Sequence, residues 1–118
     1  MKKLIYILTL VYFTILGSSG AMAYTERRTA TLRVMDKAAG KTQTLVASVG
    51  TPIEFEKISI LVRSCRQTDP FKAENFYAFT EITKSDGEII FSNWMDRNNP
   101  GNNPVQNPDY DVWVVGCE

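Results

Sequence analysis

The chain has 118 residues, 13 basic and 13 acidic side chains, and no histidine. A formal charge of zero gives no electrostatic pull toward nucleic acid or anionic lipid, so neither is an expected partner. The missing histidine excludes Ser-His-Asp and Cys-His nucleophile pairs, histidine general bases, and most zinc or copper sites.

Residues 1–23 read as a cleavable signal peptide. Met1-Lys2-Lys3 is the basic start, Leu4 to Leu16 is an uncharged apolar run, and Gly17-Ser18-Ser19-Gly20 breaks it. Ala21-Met22-Ala23 then presents small residues before a cut after Ala23. The apolar run of 13 residues is shorter than the roughly 20 a bilayer needs, so no membrane anchor is expected after cleavage. Cleavage leaves 118 less 23, or 95 residues, as a single domain over 24–118 with 11 basic and 13 acidic groups.

After a polar lead-in over Tyr24–Thr29, Ala30, Leu32 and Val34 alternate with Thr31, Arg33 and Met35 as a half-buried strand. Asp36 to Lys41 is a turn, Thr42 to Val49 a second strand, and Gly50-Thr51-Pro52 ends it. Ile53–Phe55 is a short strand. Ile58–Cys65 is apolar on both faces and reads as a central strand. Asn75–Thr83 is an aromatic strand, and Ser85-Asp86-Gly87 turns it into Glu88–Trp94 as a hairpin. A Pro- and Asn-rich coil over Asp96–Pro108 precedes the last strand, Tyr110–Val115. About seven short strands and no helical period beyond residue 23 predict an all-β fold, a small antiparallel sandwich or barrel.

Cys65 and Cys117 are the only cysteines, and both lie in the exported part. In an oxidising compartment such a pair becomes a bridge, here closing a loop of roughly 50 residues. The spacing is not the Cys-x-x-Cys of a redox pair. The bridge is expected to tie the carboxyl-terminal strand to the core.

Ser92-Asn93-Trp94-Met95, a Pro-containing loop, and Pro108-Asp109-Tyr110-Asp111-Val112-Trp113-Val114-Val115-Gly116-Cys117 resemble a family of small exported alphaproteobacterial proteins, a domain of unknown function, DUF2155. Leu32-Arg33-Val34-Met35-Asp36-Lys37 to Gly40 is similar to that family's start, and Val62-Arg63-Ser64-Cys65 to its middle. The asparagine-rich loop departs from the smaller, more apolar residues expected there. The resemblance implies a periplasmic location and brings no activity with it.

Few chemistry-bearing sets remain. No Gly-x-Ser-x-Gly, Ser-x-x-Lys, P-loop or Gly-x-Gly-x-x-Gly occurs, and no catalytic residue, metal site or cofactor is assigned. Asp109 with Asp111, and Glu54 with Glu56, are spaced to share a strand face, but solvated strand ends are the plainer account. Asp96 to Asn107 has the length of a calcium loop, yet Pro100 stands fifth, where an oxygen ligand belongs, and Asn107 stands twelfth in place of a glutamate. Phe76, Tyr77 and Phe79 could stack bases or sugars, with core packing the default for them and for Trp94 and Trp113. Asp111, inside an apolar strand expected to be covered on both sides, is expected to fasten the Asp96–Pro108 loop, through its backbone N–H groups or Arg97. That makes Trp94, Tyr110, Asp111 and Trp113 the candidate binding patch. The leading function is a non-enzymatic periplasmic domain that binds or supports an envelope protein or glycan. The rivals are a carboxylate-dependent hydrolase of envelope glycan and an enzyme inhibitor using the 96–108 loop.

Overall fold

The computed structural model describes residues 24–69, 71 and 73–118; the expected leader, 1–23, lies outside the described residues. Among the described residues eight strands form: β1 (Tyr24–Arg27), β2 (Thr29–Asp36), β3 (Lys41–Ser48), β4 (Ile53–Phe55), β5 (Ile58–Thr68), β6 (Phe76–Lys84), β7 (Ile89–Asp96) and β8 (Tyr110–Cys117). They make two antiparallel sheets, β1-β5-β6-β7 with β4 also on β5, and β3-β2-β8. The architecture is an all-β sandwich rather than a barrel. Among the described residues no helix is long and apolar enough to cross a membrane.

The extra strand is β1, expected only as a polar lead-in. It pairs Tyr24–Arg27 with Thr68–Cys65 and so carries β5 three residues past the expected end at Cys65. Its side chains are largely exposed, so it shows no apolar alternation to read. β5 is central, as its two-faced apolar pattern predicts: β6 lies on one side, with β1 and β4 sharing the other. Where those two part, Gly50, at φ 90°, donates its N–H to the Val62 carbonyl at 2.8 Å. The Asp86-Gly87 hairpin forms as expected, with Gly87 at φ 95° and Glu88 N–H donating to Asp86 Oδ1 at 2.9 Å.

The core lies between the sheets. Ala30, Leu32, Val34, Val112 and Val114 of one face Ile58, Ile60, Val62, Ala78 and Ile82 of the other, all buried. The Cys65–Cys117 disulfide crosses this core from β5 to β8, with Cα atoms 5.7 Å apart and a sequence separation of 52. The bridged strands therefore belong to different sheets. Closing so long a loop constrains the unfolded chain by about 4 kcal/mol on the chain-entropy account, a large share of a small domain's stability.

Each cysteine reaches the core through a break in alternation. On β5, Ile58, Ile60 and Val62 point inward, and Cys65 would point outward if the strand continued regularly. The register against β6 shifts between Val62 and Ser64, an extra residue that turns Cys65 in and Arg66 out. β8 does the same: Val114 pairs with Leu32 and Gly116 with Thr31, leaving Val115 unpaired. Val112 and Val114 point in, and so does Cys117.

β7 and β8 both run toward the disulfide end. The chain from Asp96 to Tyr110 must therefore return along the length of the sandwich, beside the free edges of both strands. Buried Val105 pins it to the core, and Asn103 Nδ2 donates to the Trp94 carbonyl at 3.1 Å. Its start is clamped by buried Asn75, whose Nδ2 donates to Asp96 Oδ1 at 2.7 Å and whose Oδ1 accepts from Asn98 N–H at 3.0 Å. At its end Asn107 Oδ1 accepts from the N–H groups of Asp109 and Tyr110.

Thr80 is fully buried on β6, and its hydroxyl has no hydrogen-bond partner among the described residues. Such a group carries an uncompensated desolvation cost, while valine has the same shape without it. Thr80→Val is expected to raise the urea midpoint by an amount equivalent to about 1 kcal/mol. An unchanged or lower midpoint would show that the hydroxyl is satisfied.

Candidate functional site

The four residues of the expected patch lie on three separate surfaces. Trp94 points away from its buried neighbour Met95 and stands on the outer face of the β5 sheet. Asp111 and Trp113 point outward from the β8 sheet, where they line a shallow depression of about 340 Å³ with Pro100, Gly101 and Pro104 of the return loop. Tyr110, one residue from Asp111, packs edge-on against Phe55 at 6.1 Å and lines a third depression. Only Asp111 and Trp113 are brought together.

Two expectations about this region need correction. β8 is an edge strand whose outer face is only partly covered, so Asp111 is half-buried rather than enclosed on both sides. Its carboxylate makes no hydrogen bond or ion pair among the described residues; Val105, Asn75, Asn103 and Asn107 hold the loop instead. Arg97, its expected cation, donates to Asn98 Oδ1 and the Glu74 carbonyl, and its guanidinium lies 4.8 Å from the Phe76 ring. Nor do Trp94 and Trp113 fill the core: both are half-buried on outer faces. The aromatic strand divides by parity, with Phe76 buried and Tyr77 and Phe79 half-buried outside.

Those outward rings assemble a site. Glu26 sits opposite Arg66, Arg66 opposite Tyr77, and Phe79 opposite Trp94, so four neighbouring strands share one face here. Trp94 packs against Phe79 with centroids 5.3 Å apart and planes at 79°. The Arg66 guanidinium lies 4.3 Å from the Tyr24 ring and 4.7 Å from the Trp94 ring, flanked by both. Tyr24, Arg66, Tyr77 and Trp94 line an open groove of about 260 Å³. Arg66 Nε donates to Glu26 Oε2 at 2.7 Å, and Ser64 Oγ donates to Glu26 Oε1 at 3.0 Å. Farther along, Arg63 pairs with Glu81 at 2.7 Å, which together with Ser92 keeps the Glu81 carboxyl below its usual range. Sequence reasoning reached Trp94, Tyr77 and Phe79 separately. It missed Tyr24 and Arg66, because the strand carrying one and the bulge turning out the other leave no local apolar pattern.

The third depression, of about 340 Å³, joins the ends of β2, β4 and β8. It holds a carboxyl pair that sequence spacing did not suggest, Asp36 and Glu56, within hydrogen-bonding reach of each other. Glu56 stands in the left-handed region at φ 52° and accepts from Tyr110 Oη at 3.2 Å. Desolvation, then Asp36, pushes the Glu56 carboxyl above its ordinary 4.5. The Ala39 N–H holds Asp36 below its ordinary 3.8, assisted by Glu56 and Lys41. Desolvation raises the Tyr110 hydroxyl. Asp109 lines this depression, whereas Asp111 faces the other, so that expected pair is split. Glu54 does not line the pocket of Glu56. Asp96, first in the calcium-like spacing, spends Oδ1 on Asn75 Nδ2 and on the N–H groups of Asn98 and Asn99.

Residues 30–117 match the profile of a family described as "Uncharacterized protein conserved in bacteria (DUF2155)". No curated protein and no solved structure matches the chain.

The carboxyl pair makes stability depend on pH. The folded state holds the Glu56 proton more tightly than the unfolded chain, so stability rises as pH falls through its raised value toward 4.5. The Asp36 contribution is full above 3.8 and is lost as pH falls through its lowered value. Glu56 is solvent-exposed, so screening keeps the swing small. Urea midpoints measured from about pH 7 down to about pH 5 are expected to rise, and Glu56→Gln to flatten that rise. An equal rise in the variant would contradict the pairing.

Proposed function

The chain belongs to the DUF2155 family, and on that premise we propose that it is an exported, non-enzymatic periplasmic domain that binds an envelope component through the outer face of its β5 sheet. The carrying observation is the groove of Tyr24, Arg66, Tyr77 and Trp94, because it gathers large aromatic rings on the outer face of the sheet, away from the filled core. Its make-up, aromatic walls with one placed cation, is that of ligand clefts, and its volume is just below their roughly 300–1,000 Å³. Export has its support in the signal-peptide pattern and in a buried disulfide of the kind that persists in oxidising compartments.

The hydrolase reading has less support. Glycosidase carboxylates stand about 5 Å or more apart to admit the sugar or water between them, while Asp36 and Glu56 lie within hydrogen-bonding reach of each other. The inhibitor reading needs a protruding loop, and the 96–108 segment is pinned along the sandwich by Val105.

Protein recovered from the envelope fraction is expected to have the mass of Tyr24–Glu118 and to sediment with isolated envelope. Trp94→Ala should weaken that association by about thirtyfold, the loss that marks a binding hot spot, and Trp113→Ala should leave it unchanged. Full-length chain, or equal sedimentation of the Trp94 variant, would overturn the proposal.

A further inference from the structure

Arg66 is held in place yet left largely unsatisfied. Its Nε is committed to Glu26, which Ser64 steadies from the other side. Two rings flank the guanidinium plane. The Nη groups have no hydrogen-bond partner among the described residues, nor do the Tyr24 and Tyr77 hydroxyls or the Trp94 indole N–H. The groove thus offers a fixed fork of N–H donors framed by aromatic faces. A guanidinium fork matches a carboxylate in shape and charge. The negative faces of aromatic rings suit the slightly positive C–H face of a sugar ring. The aromatic area is small: Arg63, Glu81 and Ser92 lie beyond it on the same face, tied to one another. A protein partner needs roughly 800 Å² on each side, far more than this groove presents.

We propose that the groove framed by Tyr24, Tyr77 and Trp94 binds an acidic glycan, with a pyranose ring against its aromatic walls and the sugar's carboxylate on the Nη groups of Arg66. This rests on the binding function assigned above to the same face, and it names the ligand class. Glu26 engages Arg66 through Nε, which leaves the Nη edge of the guanidinium open to the incoming carboxylate.

The test uses oxidised mature protein in a Trp113→Phe background, so that Trp94 is the sole tryptophan, with fluorescence as the readout. The probes are a short oligogalacturonide and its methyl ester, which keeps the rings and removes the charge. The acid is expected to bind at least tenfold tighter than the ester, with an affinity that falls as salt rises. Arg66→Lys keeps the charge but not the fork, and should erase most of that preference. Equal affinities for acid and ester would overturn the carboxylate assignment. Failure of both to bind, while envelope sedimentation still requires Trp94, would overturn the glycan assignment and leave the binding face standing. Because the acid–ester comparison is made on protein with an unaltered groove, misfolding of the Arg66 variant could not obscure it.

Discussion

Cys65 and Cys117 can meet only because each strand breaks its alternation once before the cysteine arrives. Ile58, Ile60 and Val62 set a parity that a regular β5 would carry past the cysteine on the wrong side; the extra residue before Ser64 reverses it. Val115 does the same for β8. The resulting bridge joins the middle of one sheet to the edge of the other. A domain of this size buries only about 60–65% of its unfolded surface, and a cross-link between its two layers offsets that deficit where it is greatest.

The bulge that turns Cys65 inward also turns Arg66 outward. One irregularity therefore sets both the brace inside the sandwich and the charged centre of the groove outside it. β1 completes the arrangement, since its register against β5 brings Tyr24 to one side of Arg66 and Glu26 opposite it. On the far side Trp94 is held by its edge contact with Phe79 and by Asn103 on its carbonyl. The return loop, with its prolines and asparagines, has a covering and bracing role along the open side of the sandwich.

The fold class was legible because strand patterns are local: Ala30–Val34 alternates, while Ile58–Cys65 and Tyr110–Val115 are short apolar runs between turn formers. The two-faced apolar pattern of β5 gave its central position, and the Asp86-Gly87 pair gave the hairpin. β1 was not, since backbone pairing at a sheet edge asks little of its side chains. The two bulges left a trace that passed unread: Cys65 and Cys117 both stand at odd positions after runs of even-numbered buried residues. The expected patch is dispersed for one reason. Trp94, Tyr110, Asp111 and Trp113 are close in sequence, but successive strand residues face opposite ways and β7 and β8 belong to different sheets. Asp36 and Glu56, or Arg66 and Trp94, meet only through strand pairing across the fold, which no spacing rule reports.

Central to this account is that the bridge makes the two sheets one cooperative unit, with the groove inside that unit. Amide hydrogen exchange of oxidised and reduced protein tests this most directly. On reduction β1, the Cys65–Thr68 end of β5 and the whole of β8 should lose protection together. Loss confined to the last residues, Gly116 to Glu118, would show that the bridge merely pins a fraying end and would contradict the account.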